Sequence, residues 1–296
     1  MNNNYNSNDL YIILSSIRSQ KDGYTIEDLK NYALATNSAD AFINLLDLDR
    51  IGKYFNGSVA VQKAVDKIIS ENPESAIGLH LSATVEAIRY ARERMNEPTA
   101  RLVKGHVRLV NEFDNDIKSL NNQIAEFADK PYDDSLHILN FQLNNTITIR
   151  ERVNERIDET NCGELYKKAM LAYLEEAKSL NPAGAQICKA KAFILNRALA
   201  FEKQFDFSCD ELKKASKNNP DNIELKCLAI TCVLISKSIE SIDESEFTYQ
   251  KMAGNPSCKQ SILEFKELAQ LSLSSEGQRA VECLAFDSST ADEMGE

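Results

Sequence analysis

Asn-Pro dipeptides recur at a nearly constant interval in the second half of the chain, and this recurrence restricts the fold more than any other feature. They are Asn181-Pro182, Asn219-Pro220 and Asn255-Pro256, with prolines 38 and 36 residues apart. Proline has no amide hydrogen to donate and disfavours the helical conformation of the residue before it, so each dipeptide can separate two helices. The spacing predicts a repeat of paired helices. An irregular bundle with three coincidental stops is the alternative.

The composition favours an all-α protein. The chain has only 10 Gly and 6 Pro in 296 residues, too few for the many turns of a β fold, and 43% of its residues are hydrophobic. That apolar fraction is enough for a large buried core. The formal net charge of -11 argues against binding to phosphate backbones, so nucleic acid is not an expected partner.

Neither the start of the chain nor its cysteines indicate export. The segment MNNNYNSND lacks a basic and then apolar leader, and no run approaches the roughly 18 apolar residues that span a bilayer. Seven cysteines occur without a C-x-x-C pair, and the three histidines are isolated from one another and from these cysteines. We therefore expect a cytoplasmic protein with reduced thiols, no membrane contact, no metal and no cofactor.

Two of the helices before the stops match in register. The segments LEEAKSLNP (174–182) and LKKASKNNP (212–220) both place alanine three residues after leucine and proline five residues after alanine. A large residue fills the groove between paired helices, while a small one lets the next helix approach. Ser208 and Glu211 also form a capping-box pattern where the helix before Pro220 should begin.

With this pattern the chain resembles the tetratricopeptide repeat (TPR) family, whose units are pairs of helices about 34 residues long. The resemblance is best over residues 162–240. The residues matched to the first helix of the best unit are Ala192, Leu195, Asn196 and Leu199, and those matched to the second are Ser208, Leu212, Ala215 and Pro220. Two positions depart from the family, which usually has a large aromatic residue at Ala192 and glycine or alanine at Asn196.

The resemblance implies an α-solenoid of stacked helical hairpins whose first helices line a concave groove for a peptide or partner helix. The residues that this register places in the groove are Gln186, Lys189, Phe193, Asn196, Lys226 and Ile230.

The sequence divides into five regions. They are a disordered tail (1–8), an N-terminal helical region (9–95), a long antiparallel helical hairpin (99–158), TPR-like repeats (162–287) and a disordered acidic tail (288–296). The first arm of the hairpin carries an apolar seam at alternating spacings of three and four, formed by Leu102, His106, Val110, Phe113, Ile117, Leu120, Ile124 and Phe127. Such a seam must either pack on the rest of the chain or join two copies in a homodimer.

Parts of the sequence also suggest two other functions. Arg101 and His106 have the Arg-x4-His spacing that looks like the motif of the helical HEPN ribonucleases, in which histidine acts as an acid-base group and arginine holds phosphate. Against it, Leu102 stands where that family has a polar residue, and His106 lies on the predicted seam. The N-terminal helices also suggest a helix-turn-helix regulator, but they carry no basic cluster.

The usual enzyme signatures are absent from the sequence. The sequence therefore predicts a non-enzymatic interaction protein, an adaptor, scaffold or chaperone-like protein that binds a protein or peptide partner.

Overall fold

Twelve helices account for nearly all of the described chain. The structure, a computed structural model, describes residues 9–18, 23–49, 51–95, 100–127, 134–155, 161–202 and 204–241. The helices are α1 (Asp9–Arg18), α2 (Ile26–Thr36), α3 (Ala39–Leu48), α4 (Lys53–Gly57), α5 (Val59–Glu71), α6 (Ala76–Met95), α7 (Ala100–Ala125), α8 (Asp134–Asn154), α9 (Cys162–Glu176), α10 (Pro182–Leu199), α11 (Cys209–Asn218) and α12 (Ile223–Ser241). Across these ranges there is no β-strand, which confirms the all-α class.

Short local signals set the helix starts. Thr25 caps α2 with a full capping box, in which its hydroxyl accepts from the Asp28 amide and the Asp28 carboxylate accepts from the Thr25 amide. Ser208 begins α11 as predicted, since its hydroxyl accepts from the Glu211 amide at 3.3 Å.

The Asn-Pro dipeptides within the described ranges act in two ways. Asn72, which precedes Pro73, and Asn219 each end a helix. Their side-chain amides donate to the carbonyl four residues earlier, at 3.1 Å and 2.8 Å respectively. At Asn181-Pro182 the dipeptide starts a helix instead: the Asn181 side chain accepts from the Gly184 amide at 2.9 Å and Pro182 occupies the first turn. Asn255-Pro256 lies outside the described residues.

A single large core spans regions that the sequence separated. It contains buried residues of α1 to α7, α9 and α10, including Phe42, Leu81, Val107, Tyr166 and Leu195. Its centre is the layer in which α6 packs along α9, with α3 against one side of α6 and α10 against α9. A smaller cluster joins α10, α11 and α12. The N-terminal region and the start of the repeat region therefore share one core.

This packing differs from that of a simple solenoid. In a solenoid each helical pair contacts only its sequence neighbours, whereas here α6 packs on α9, and α7 packs on α10. Contacts between successive helices also occur, and in the C-terminal part of the described chain α10 contacts α11 and both contact α12.

The Asn196 departure from the TPR pattern has a local cause. Its buried side-chain amide donates to the Glu202 carbonyl and its side-chain oxygen accepts from the Glu202 amide, both at 2.9 Å. Asn196 thus closes the turn after α10, where Ala200 adopts a left-handed conformation with φ of 53°. A glycine or alanine could not make these bonds.

The predicted hairpin is present as α7 and α8, and Arg150 of α8 binds Asp114 of α7 at 2.9 Å. The buried face of α7 differs in part from the predicted seam. Val103, Val107 and Val110 are buried, and of these three only Val110 belongs to the seam. The body covers only the first half of α7, so the seam from Phe113 onward is half-buried against α8.

None of the five described cysteines forms a disulfide with another described residue. Cys258 and Cys283 lie outside the described residues, as do both tails and the repeats beyond residue 241. None of the helices in the described ranges has the length and apolar character needed to cross a membrane.

Candidate functional site

Helix α3 presents a polar edge inside an apolar environment. Ser38 begins the helix, and the residues between its polar positions are buried, among them Phe42 and Leu45. Asp40, Asn44 and Asp47 are four and three residues apart and therefore project on one side of the helix. Two carboxylates next to the core require cations nearby, because an isolated buried charge is costly.

Lys191 of α10 supplies the first cation. Its ammonium group lies 2.8 Å from Asp40 and 3.0 Å from Glu224 of α12, and 18% of its side chain is exposed. Burial by itself lowers the pKa of Lys191, but Asp40 and Glu224 outweigh it and the net pKa is raised. Lys191 therefore stays charged and links three helices.

Lys104 of α7 supplies the second cation. It donates to both carboxylate oxygens of Asp47, at 2.7 Å and 3.0 Å, and lies 5.1 Å from the ring centre of Tyr166. The two ion pairs join α3 to α7 and to α10, helices that are far apart in sequence.

His80 of α6 lies between these cations. Its Nδ1 is 3.4 Å from the Tyr173 hydroxyl, and its ring meets the ring of Tyr166 edge-on at 5.8 Å. Burial lowers the pKa of His80 well below its usual range, and Lys104 and Lys191 lower it further. The imidazole is neutral at pH 7, and no described group forms a hydrogen bond with its buried Nε2.

These residues surround a cavity of about 250 Å³, referred to below as the central cavity. Its lining is contributed by seven helices: Tyr11 and Leu14 of α1, Asp40, Ile43, Asn44 and Asp47 of α3, His80 of α6, Lys104 of α7, Tyr173 of α9, Lys191, Ile194, Leu195 and Ala198 of α10, and Cys227, Leu228 and Thr231 of α12.

The central cavity offers binding groups in fixed protonation states. Burial raises the pKa of Tyr173, and nearby Asp40 raises it further, so the phenol stays protonated. The pKa of Tyr11 is raised for the same two reasons, with Glu224 adding to the effect. Together with charged Lys191 and neutral His80, the site presents hydrogen-bonding groups and fixed charges rather than a group that titrates near neutral pH.

A second surface lies on the outer side of the hairpin. Ile138, Phe141 and Ile149 of α8 are 59%, 71% and 41% exposed and fall on one side of the helix. We call these three residues the hairpin face. Residues 135–149 contain no Asp, Glu, Lys or Arg, in a chain of which 27% is charged.

The residues predicted to line a groove lie mostly inside the protein. Phe193, Asn196, Lys226 and Ile230 are buried, with at most 7% of each exposed. Gln186 and Lys189 are half-buried, and the Gln186 amide nitrogen lies 3.3 Å from a carboxylate oxygen of Glu211. Phe193 and Ile230 belong to the apolar cluster that joins α10, α11 and α12.

His106 of the Arg-x4-His pair is half-buried on α7, and the side chain of Arg101 lies outside the described part of the structure. The helix-turn-helix interpretation meets a packing problem at α3, which is buried over most of its surface and contacts α2, α5, α6 and α7. A recognition helix must be free to enter a DNA groove.

No motif in the sequence indicated the central cavity. A weak signal was present, since Lys191 is flanked by the buried Ala190 and Ala192, and Asp40 precedes the buried Ala41 and Phe42. A single charge within an apolar helical segment usually has a buried partner. The sequence contains nothing that says which residue the partner is.

The chain matches no protein-family model, no curated protein and no solved structure. Within the described ranges no three His, Cys, Asp or Glu side chains are grouped closely enough to hold a metal ion.

Proposed function

We propose that this chain is a non-enzymatic interaction protein, an adaptor or scaffold of the cytoplasm that binds a helix of a partner protein through the hairpin face. The observation that carries the proposal is the exposure of Ile138, Phe141 and Ile149 on one uncharged side of α8. Large apolar side chains grouped on a protein surface are typical of binding sites, and interface centres are depleted of charge.

The position of α8 supports this role. Beyond Asn115, α7 continues for about 15 Å to Ala125, and α8 packs mainly on α7. Asn111 and Asn115 fix the base of the hairpin by donating to the carbonyls of Leu199 and Ala200 at 2.8 Å and 3.0 Å. A firm base with a projecting outer part leaves the hairpin face accessible.

An apolar partner helix fits this face better than nucleic acid does. The face has no Lys or Arg to neutralise phosphate, and the chain has a net charge of -11. Covering the Phe141 side chain would stabilise a complex by roughly 1.5 to 3 kcal/mol, and the flanking Asn and Gln side chains supply a polar rim.

We further propose that α10, α11 and α12 form a TPR-like stack. The support is that α10 contacts α11 and that both contact α12, the neighbour pattern of such repeats. The partner-binding role proposed here does not depend on this stack, because the predicted groove residues are largely buried.

The test is affinity purification of the tagged full chain from cells, comparing wild type with Phe141→Asp. The control is Ile51→Asp, which adds the same charge at a residue that is 74% exposed and remote from α8 in sequence. We expect a partner that is recovered with wild type and Ile51→Asp and is lost with Phe141→Asp.

Recovery of the same proteins with all three baits would contradict the proposal. Analytical ultracentrifugation of the purified chain shows whether the hairpin face instead joins two copies of the chain. If wild type is a dimer and Phe141→Asp is a monomer, the hairpin face joins two copies of the chain, and the adaptor role is wrong.

A further inference from the structure

The hairpin face has a polar residue at its centre. Asn145 lies four residues after Phe141, four residues before Ile149 and seven residues after Ile138. Side chains at these spacings lie on one side of a helix, so the three apolar residues surround Asn145. Asn145 is itself exposed on that side. A partner helix that covers the hairpin face therefore covers the carboxamide of Asn145 as well.

Other polar side chains of α8 form hydrogen bonds within the helix. The Thr148 hydroxyl donates to the Asn144 carbonyl at 2.9 Å, and the Asn140 amide donates to the Leu136 carbonyl at 2.8 Å. The side chain of Asn145, in contrast, has no hydrogen-bond partner in the part of the chain that the structure describes. Water can satisfy this exposed carboxamide in the unbound protein.

Binding of a partner helix removes that water. A carboxamide has an amide donor and a carbonyl acceptor, and leaving either of them unpaired in a covered position weakens the complex. The surrounding residues Ile138, Phe141 and Ile149 are apolar and cannot supply the missing hydrogen bonds. The partner must therefore supply them.

The chemistry of the partner side chain follows from what Asn145 needs. A carboxylate offers only acceptors and an ammonium group only donors, and residues 135–149 contain no opposite charge to accompany either group. A hydroxyl on a helix tends to bond to a carbonyl of its own preceding turn, as Thr146 does with Gln142 at 2.9 Å. A second carboxamide offers both a donor and an acceptor without a charge.

We propose that Asn145 selects the partner: the helix bound by the hairpin face carries an asparagine or glutamine opposite Asn145, between apolar residues that contact Ile138, Phe141 and Ile149. A single polar pair within an apolar contact between helices also fixes their alignment, because every shifted alignment places a carboxamide against hydrocarbon. This inference rests on the proposed role of the hairpin face and adds the chemistry of the partner.

Three fluorescein-labelled peptides test the inference. Each is an amphipathic helix of about three heptads with leucine along its apolar side, and the central position of that side is asparagine, leucine or aspartate. Binding to the full chain is measured by fluorescence anisotropy. We expect the asparagine peptide to bind about tenfold more tightly than the leucine peptide, although the leucine peptide is more apolar. The aspartate peptide should bind most weakly, because its carboxylate cannot donate to the Asn145 carbonyl.

Three variants locate the effect. Asn145→Leu changes an exposed residue, so the fold should be retained, and we expect the leucine peptide to bind this variant more tightly than the asparagine peptide does. The matched control is Asn144→Leu, the same change at an exposed neighbour about 100° around the helix, which should keep the wild-type order. Phe141→Asp should abolish binding of all three peptides.

The outcomes separate this inference from the proposed function. If the wild type binds the leucine or the aspartate peptide at least as tightly as the asparagine peptide, or if Asn145→Leu keeps the wild-type order, the inference is wrong and the hairpin face remains a helix-binding site. If no peptide binds the wild type, or if Phe141→Asp binds all three as well as the wild type does, the proposed function is wrong too.

Self-association is a further outcome. If analytical ultracentrifugation shows that the wild type is a dimer and that Phe141→Asp is a monomer, the carboxamide opposite Asn145 belongs to a second copy of the chain. That result would overturn the inference of a separate partner helix.

Discussion

The helical body and the α7–α8 hairpin each contain a phenylalanine and a histidine in opposite surroundings. Phe42 is fully buried, while Phe141 is 71% exposed. His80 is enclosed by Lys104, Tyr166 and Tyr173, while His137 is exposed on α8. Residue type is the same in each pair, so the neighbours alone determine what each residue contributes to stability. The hairpin residues contribute little, which leaves them available for binding.

The largest expected difference is between the two phenylalanines. Phe42→Ala leaves a cavity in the core and should lower the free energy of unfolding by about 3 to 5 kcal/mol. Phe141→Ala removes a solvent-exposed ring and should change it by less than about 0.5 kcal/mol. Denaturant unfolding followed by far-ultraviolet circular dichroism measures both. A large loss of unfolding free energy for Phe141→Ala would show that the hairpin face is buried and that the two phenylalanines have similar surroundings.

The ion pairs give the next largest difference. Lys191→Met leaves Asp40 and Glu224 without their cation. Because breaking a largely buried ion pair leaves uncompensated charge, this variant should lower the free energy of unfolding by about 3 kcal/mol. Arg150→Met breaks the more exposed Asp114 pair of the hairpin and should cost less than about 1 kcal/mol.

A double-mutant cycle sharpens this result. Adding Asp40→Asn to Lys191→Met removes one of the stranded carboxylates, so part of the lost stability should return. If the stability losses of the two single variants simply add, the Lys191–Asp40 contact at 2.8 Å does not couple the two residues energetically. The pair would then not be what stabilises these charges in the fold.

The smallest expected effect on stability comes from His80, and it depends on pH. The pKa of His80 is lowered in the folded chain by burial and by Lys104 and Lys191, whereas the unfolded chain has the ordinary value of about 6.5. Below about pH 6.5 the unfolded state binds more protons, so stability falls as pH falls, by up to about 1.4 kcal/mol per pH unit until the folded pKa is reached.

Measuring stability between about pH 7 and about pH 5.5 checks this effect. His80→Gln should reduce the loss of stability at the lower pH. An unchanged pH dependence in His80→Gln would mean that His80 is as accessible to protons as a surface residue.

Local sequence signals predict where helices begin and end but not which helices pack together. Thr25, Ser208 and Asn219 act within three or four residues of chain, so their caps could be predicted directly. The sequence did not show which residues of α7 face the body, because burial depends on which helices cover each half. Val103 and Val107, which lie outside the predicted seam, are buried, while Phe113 and Ile117 of the seam are half-buried. Four of the residues predicted to line a groove are buried for the same reason, since α12 packs against the face of α10 that carries Phe193.

The sequence by itself determined that the chain is helical and where some of its helices begin or end, as at Asn181, Ser208 and Asn219. Capping, proline geometry and composition act locally, so one sequence suffices to read them. Only the tertiary structure decided that Asp40, His80, Lys104 and Lys191 meet at one cavity. The Lys191–Asp40 pair joins residues 151 positions apart, and a contact of that kind arises from the packing of whole helices, which no local pattern encodes.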